Sequence, residues 1–352
     1  MTKLHPLKFN PILKNRVWGG KKLTSLYNQT LDEDEARAAG LDPDHIGESW
    51  ILSDMGDDQS VVCEGFFKGN TLEDILETYL GDLVGDAVYD RYRNQFPLLI
   101  KLLDINERLS VQVHPDDTVA LQRYDSYGKK ECWYVLEAGE DAVIWLGFKK
   151  DVSATEFYEA CRKGTADELL NAFHPKKGEC YLINPGTVHA AGGGLVIAEV
   201  QQASDVTLRL YDWGRENNPA TARAMNLEEA LDIIDFKALD AEKCIARGPR
   251  SGEVIFDTDK FTMTHIDLTG PYSVVPEKFG SFVLYVCTEG AVEVQAPDVK
   301  GENKAYRLEK GQLILIPAAI DECFIIPAGG SASVLESFVK VDENEKDDYI
   351  NE

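Results

Sequence analysis

RLSVQVHPDD, residues 108–117, closes an alternating apolar run on a histidine and follows it at once with a proline and two carboxylates. Side chains on a strand point alternately to its two faces. Leu109, Val111 and Val113 therefore fall on one side, and Ser110, Gln112 and His114 on the other. A polar row backed by an apolar one lies either against water or along an internal cavity. The fixed φ of Pro115 ends the strand and holds His114 at its mouth. Asp116 and Asp117 shape the next turn, with support of a histidine as a lesser role.

The surrounding chain carries the same pattern. From about 97 to 340, short alternating or β-branched runs such as CWYVLEA, DAVIWLGF, CYLINP, LVIAEVQQ, VTLRLYDW, SFVLYVC, AVEVQAP and QLILIP are bounded by Gly, Pro and Asp. Strand follows strand without alternating helices, which predicts a mainly β sandwich or barrel rather than a parallel α/β fold. Ser153 with Glu156 and Thr165 with Glu168 have capping-box spacing and predict a small helical insertion over about 152–175. TLEDILETYLGDLV and NLEEALDIIDF read as further helices, the second closing the first domain, and VDENEKDD as a solvated tail. KGECYLINPGTVHA (177–190) and KGQLILIPAAIDEC (310–323) share Lys-Gly, a short apolar strand and a proline, but His189 of the first is matched by Asp321 in the second. This predicts two similar β-domains, 1–240 and 241–352, of which only the first is equipped for metal.

Composition narrows the class. The chain has 352 residues, 44% hydrophobic and 28% charged, enough for two cores. Sixty-one acidic against 36 basic residues give a net charge of −25, which argues against nucleic-acid partners and requires any anionic ligand to meet a local basic pocket. No apolar run approaches the ~18 residues of a membrane span and the first twenty residues lack a signal-peptide core, so a cytoplasmic address and no membrane partner are expected. Seven scattered cysteines without CxxC spacing point to buried thiols rather than a disulfide framework or a thiolate zinc site.

His114 taken alone is most simply a surface histidine. Further on, however, Glu131 opens an aromatic-rich strand in GKKECWYVLEA, and His189 follows the Pro-Gly turn of INPGTVHAAGGG. Two imidazoles, one carboxylate and the Gln112 amide oxygen, drawn from separate β-elements, suit one divalent metal such as zinc with a position open for water or substrate. In GLVIAEVQQ, Glu199 shares a face with Leu195 and Ile197, where an inward apolar residue is the rule. Burial there raises its pKa toward that of a useful base, and Arg209, alternating with Thr207 and Tyr211, opposes the shift.

The segments WGG (18–20), GESW (47–50), FPLLIKLLDINERLSVQVHPDD (96–117), KKECWYV (129–135), NPGTVHA (184–190) and EVQQASDVTLRLYDWGR (199–215) resemble those of the type I phosphomannose isomerases, particularly the shorter bacterial members. The resemblance implies two cupin-type jelly-roll barrels, one zinc ion per chain and interconversion of mannose 6-phosphate and fructose 6-phosphate. It places the metal ligands on Gln112, His114, Glu131 and His189, and the substrate site on Lys101, Ser110, Lys129, Glu199 and Arg209. Within that set Glu199, Arg209 and Lys129 are the expected catalytic groups, and Lys101 and Ser110 bind substrate. Trp18 and Glu48 are expected at the wall of the pocket. A monomer or weak homodimer acting on a small sugar phosphate is expected. Two alternatives fit the same residues: a non-haem iron oxygenase, whose facial triad is also two histidines and a carboxylate, and a non-catalytic sugar-phosphate-binding cupin.

Overall fold

A computed structural model describes residues 2–29 and 33–341; the acidic stretch expected to form a tail lies, from 342 onward, outside them. Two antiparallel sheets make the first unit. The larger has the strand order Ile12–Gly20, Ile46–Leu52, Leu98–Ile105, Leu195–Gln202, Glu131–Glu137, Cys180–Ile183, Ile245–Ala246. The smaller runs Leu208–Tyr211, Val111–Val113, His189–Gly192, Val143–Phe148, Leu170–Phe173. The second unit repeats the plan with a sheet of Val254–Asp257, Thr262–Leu268, Ala332–Phe338, Val283–Glu289 and Leu313–Ile316 facing one of Tyr272–Val274, Cys323–Pro327, Ala291–Pro297 and Asn303–Glu309. The fold is thus mainly β and double, as expected. The pairing of Ile245 and Ala246 with Tyr181 and Cys180 keeps the chain in the first sheet to 246.

The near-continuous apolar run of LLIKLLDI follows from burial on both faces. Leu98, Ile100 and Leu102 join Ala198, Val200, Cys132 and Tyr134 in a core shared with Met263, Leu284, Val286, Leu315 and Leu335 of the second unit. Leu103 and Ile105 point the other way, into the first barrel with Trp133, Val135 and Ile197. Each such side chain contributes about 1.5–3 kcal/mol on burial, so the two units are joined by a true core and not by the polar contact typical of mobile domains.

Several local expectations change. The strand of the opening stretch is only Val111–Val113. Leu109, whose N–H is held by the Ala191 carbonyl, precedes the regular strand and faces the first barrel's interior alongside Ser110. The helix Ala154–Lys163 forms with Ser153 accepting the Glu156 N–H, but Thr165 makes no cap bond. A single 3-10 turn, Ala166–Leu169, leads instead into Leu170–Phe173, because pairing with Val143–Phe148 satisfies an otherwise open sheet edge. TLEDILETYLGDLV starts on a Thr71–Asp74 capping box and breaks at Leu80 (φ +51), while NLEEALDIIDF keeps one helical turn, Leu227–Ala230. All seven cysteines are free thiols and six are buried. Among the described residues no helix is long and apolar enough to cross a membrane.

The Lys-Gly repeat is matched in space. Cys180–Ile183 lies beside Glu131–Glu137 just as Leu313–Ile316 lies beside Val283–Glu289, and the glycine before each strand has positive φ, +85° at Gly178 and +86° at Gly311.

Candidate active site

The two sheets of the first unit bring His114, Glu131 and His189 to one point. Glu131 is on the large sheet, His189 on the small one, and His114 just past the end of Val111–Val113. All three are buried, and their ligand atoms lie within 4.8 Å of one another. Glu131 Oε1 is 3.2 Å from His189 Nε2, and Oε2 is 3.5 Å from His114 Nε2. Ligands about 2.0–2.1 Å from a tetrahedral metal sit about 3.3 Å apart, so little movement separates this arrangement from a coordination sphere.

The donor chemistry fits a cation as well. His114 Nδ1–H donates to the Val206 carbonyl (3.0 Å) and His189 Nδ1–H to that of Thr187 (2.9 Å), which leaves both Nε2 lone pairs facing inward. Burial, together with Lys129, pushes the His114 pKa down to about 3, so that ring is neutral. Burial alone would raise Glu131, but Lys129 and His114 hold it well below the usual carboxylate range. Lys129 Nζ is 2.9 Å from Glu131 Oε2, yet neither Glu131 oxygen has a hydrogen bond of sound geometry. Such a buried, unsatisfied carboxylate is costly unless something else binds it. Gln112 completes the group, with its Nε2 3.2 Å from His189 Nε2 and its Oε1 accepting from Ser110 Oγ at 3.2 Å. Turning the amide over presents the oxygen instead.

Above this cluster opens a cavity of about 300 Å³, at the small end of ligand pockets. Trp18, Glu48, Lys101, Ser110, Gln112 and Lys129 line it, and Glu199 and Arg209 face it from the large and small sheets. The cavity therefore gathers every predicted catalytic and substrate residue, with His114, Glu131 and His189 beneath.

Glu199 is buried opposite Lys101 and Trp133 in the sheet register. Trp133 Nε1–H donates to its Oε1 at 2.8 Å, and Lys101 Nζ is 3.7 Å from Oε2. Burial and the negative charge of Glu131 raise its pKa to about 7 against the pull of Lys129 and Lys101. Arg209, expected to supply that pull, does not. It belongs to the opposite sheet, its Nη1 donates to the Ala224 carbonyl at 2.8 Å, and no described carboxylate lies within 4 Å of it. Burial, and then the neighbouring Arg223, lower its pKa. Glu48 has both oxygens engaged, by Arg16 Nε (2.7 Å) and Nη2 (3.0 Å) and by Trp50 Nε1 (2.7 Å). Burial opposes its ionisation, but Lys101 and Arg16 hold it at about 2.

Arg16, Trp133, Asp205 and Arg223 are cavity residues that the sequence did not single out, whereas Thr207, placed on one face with Arg209 by alternation, lines it too. Arg16 stands two places before Trp18, on the same face of the strand Ile12–Gly20, and period-2 reasoning would have found it. Arg223 comes from a loop with no strand pattern, and nothing local marks it.

The family model described as phosphomannose isomerase type I, catalytic domain, matches residues 7–137. The chain is 31% identical to the mannose-6-phosphate isomerase ManA of Bacillus subtilis over 324 residues, covering 90% of this chain and 94% of that protein. It is 34% identical to the mannose-6-phosphate isomerase of Streptococcus mutans over 317 residues, covering 90% and 93%. The crystal structure of the mannose 6-phosphate isomerase from Bacillus subtilis superposes with a TM-score of 0.81 at 26% identity, over 96% of this chain and all of that one.

Proposed function

The chain belongs to the type I phosphomannose isomerase family, and from that premise we propose that it interconverts mannose 6-phosphate and fructose 6-phosphate with a zinc ion held by Gln112, His114, Glu131 and His189. The observation that carries the reading is a base of suitable pKa, Glu199, opening on the same cavity as a neutral-imidazole and carboxylate cluster.

Aldose–ketose exchange moves a proton between adjacent carbons through an enediolate. Trp133 occupies Oε1 of Glu199, so Oε2 is the oxygen left to take the proton from one carbon and return it to the next. With a pKa near 7 the carboxyl is able to do both at neutral pH. Lys101 stabilises the ionised form before the first transfer and again after the second. Lys129 and Arg209 face the cavity from opposite sheets and supply N–H donors for negative charge developing on the sugar oxygens. Ser110 and the indole of Trp18 position the hydroxyls, and closely packed Leu103 and Leu109 keep water from the proton in transit. A bound divalent cation contributes Lewis acidity and orientation.

The test is turnover of mannose 6-phosphate in a coupled assay before and after exhaustive chelation. Activity lost with the metal and restored by zinc supports the reading. Full turnover in protein shown by elemental analysis to be metal-free, or in Glu199→Gln, refutes it.

A further inference from the structure

Three arginines and two lysines line the cavity. Lys101 Nζ lies 3.7 Å from both Glu199 and Asp205, and Lys129 Nζ 2.9 Å from Glu131. A phosphate placed against either lysine would meet those carboxylates at short range, and like charges inside a barrel repel strongly. The guanidinium groups differ in keeping N–H donors beyond those that their carboxylates take. Arg209 has no described carboxylate within 4 Å, and its buried Nε–H has no acceptor among the described residues. Arg223 shares the single carboxylate of Asp212 with Arg215, giving it Nε–H (3.1 Å) and one Nη2–H (2.6 Å) and keeping Nη1 unspent. Arg16 is gripped by Glu48 and by the Asn15 carbonyl (3.2 Å), which fixes its plane while leaving donors on both terminal nitrogens. The Arg209 pKa is lowered first by burial and then by Arg223, with Asp212 opposing and Arg215 and Arg16 adding to the shift, so its charge is only partly compensated. In a molecule of net charge −25, a local excess of cations around buried, unspent donors calls for an anion. Guanidinium is also the better geometric match to a tetrahedral dianion, since its fork donates two parallel bonds.

We propose that Arg16 and Arg223 hold the phosphate group of the substrate, with Arg209 shared between it and the reacting sugar oxygens and Lys101 and Lys129 left to the sugar. The assignment rests on the sugar-phosphate reading above. It makes Arg16 and Arg223 specificity-determining residues and gives Glu48 the task of positioning Arg16 instead of touching substrate.

The zinc-loaded full chain is assayed with mannose 6-phosphate and with unphosphorylated mannose, in parallel with binding of inorganic phosphate followed by the fluorescence of Trp18, Trp50 and Trp133. In Arg223→Gln and in Arg16→Gln the ratio of kcat/KM for the phosphorylated over the free sugar falls at least about tenfold, and the Kd for inorganic phosphate rises by a similar factor, as expected for losing a charge-assisted bond. Arg223→Lys recovers part of both. A merely structural arginine would depress both sugars alike and leave the ratio where it was, and that outcome, or an unchanged phosphate Kd, overturns the proposal. A response confined to one arginine overturns the shared site. If Arg16→Gln does not fold, Arg16→Lys, which can keep an ion pair with Glu48, is read in its place. Absence of mannose 6-phosphate turnover in the parent protein refutes the proposed function, while the inorganic-phosphate measurement still decides the fate of the arginine site.

Discussion

Replacing Trp133 by Phe isolates the bond that sets the proposed base. Among the described residues the indole N–H makes the only side-chain hydrogen bond to Glu199, 2.8 Å from Oε1, and the ring also meets His189 edge-on with centroids 5.5 Å apart. Phenylalanine preserves most of that packing and removes the donor. A hydrogen bond to a charged group contributes about 1.5–3 kcal/mol, and 1.36 kcal/mol corresponds to one pKa unit. The Glu199 carboxylate therefore loses stabilisation equivalent to about one to two units, and its pKa moves upward from about 7. Since the base must be ionised, the acid limb of the kcat/KM profile moves to higher pH by that amount. At pH 7, where the parent base is half ionised, turnover drops roughly fivefold to fiftyfold, and above pH 9 most of it returns. The profile is measured with mannose 6-phosphate from pH 5.5 to 9.5, with melting temperature followed at each pH to exclude unfolding. An acid limb displaced by less than about 0.3 unit, or a loss of rate that is the same at every pH, would mean that Glu199 is not the titrating base.

Three further perturbations probe other parts of the argument. In metal-free protein, Glu131→Gln takes from the buried Lys129 ammonium its nearest carboxylate, with Glu199 and Asp205 acting more weakly, and lowers stability by about 3 kcal/mol in urea titration, part of which Lys129→Met restores in the double variant. Unfolding free energies that match the parent within error would remove the ion pair from the account. Burial raises the pKa of Glu336 despite bonds from Tyr285 (2.6 Å) and Tyr272 (3.4 Å). Its folded form thus binds a proton more tightly than its unfolded form, and its contribution is favourable in acid and lost as pH rises from the ordinary carboxylate range through the raised value. Glu336→Gln should consequently be more stable than the parent at pH 8 and lose that advantage by pH 4; an advantage that grows in acid would reverse the sign. Gly193 and Gly194 both have φ +84°, but a Cβ on Gly193 would lie 2.0 Å from the Asp141 carbonyl oxygen, whereas one on Gly194 meets nothing closer than 3.9 Å. Gly194→Ala should cost about 1–2 kcal/mol of backbone strain and Gly193→Ala distinctly more, with equal melting temperatures counting against the geometry.

The parts of this molecule that were legible in its sequence are those governed by period two. Glu199 among Leu195 and Ile197, and Gln112 between Val111 and Val113, declare their faces by alternation alone, and the fold places them on those faces. Failures occur where a longer-range partner decides. Thr165 and Glu168 have the spacing of a helix start, yet an unpaired strand edge at Val143–Phe148 takes the following residues instead. Leu109 fits the alternation by count, but precedes the regular strand and turns toward the cavity. The pull of Arg209 on Glu199 was misjudged because alternation assigns a face within one sheet and says nothing of distance across a barrel. Arg223 is the extreme case, since its place is set by Asp212 and by the path of an irregular loop.

The second unit bears on the chemistry through the same alternation. In the first unit Glu199 stands opposite Lys101 and Trp133; in the second Glu336 stands opposite Thr264 and Tyr285, and Tyr285 donates to Glu336 as Trp133 does to Glu199. The buried carboxylate and its aromatic donor recur, while the lysine has become threonine and the position of Glu131, two residues before the aromatic, is Val283. Stripped of cations, that interior is filled by Val283, Cys287, Val292 and Ile314. What the unit contributes instead lies on its outer face. Cys132 and Tyr134 alternate with Glu131 and Trp133, and they belong to the same core as Leu284, Val286 and Leu335. Interiors packed at crystal-like density resist displacement of even a methylene, so the strand carrying both the Glu131 carboxylate and the Glu199 donor is held from behind. A cavity substitution such as Leu284→Ala, remote from the substrate, then acts on catalysis by loosening that strand.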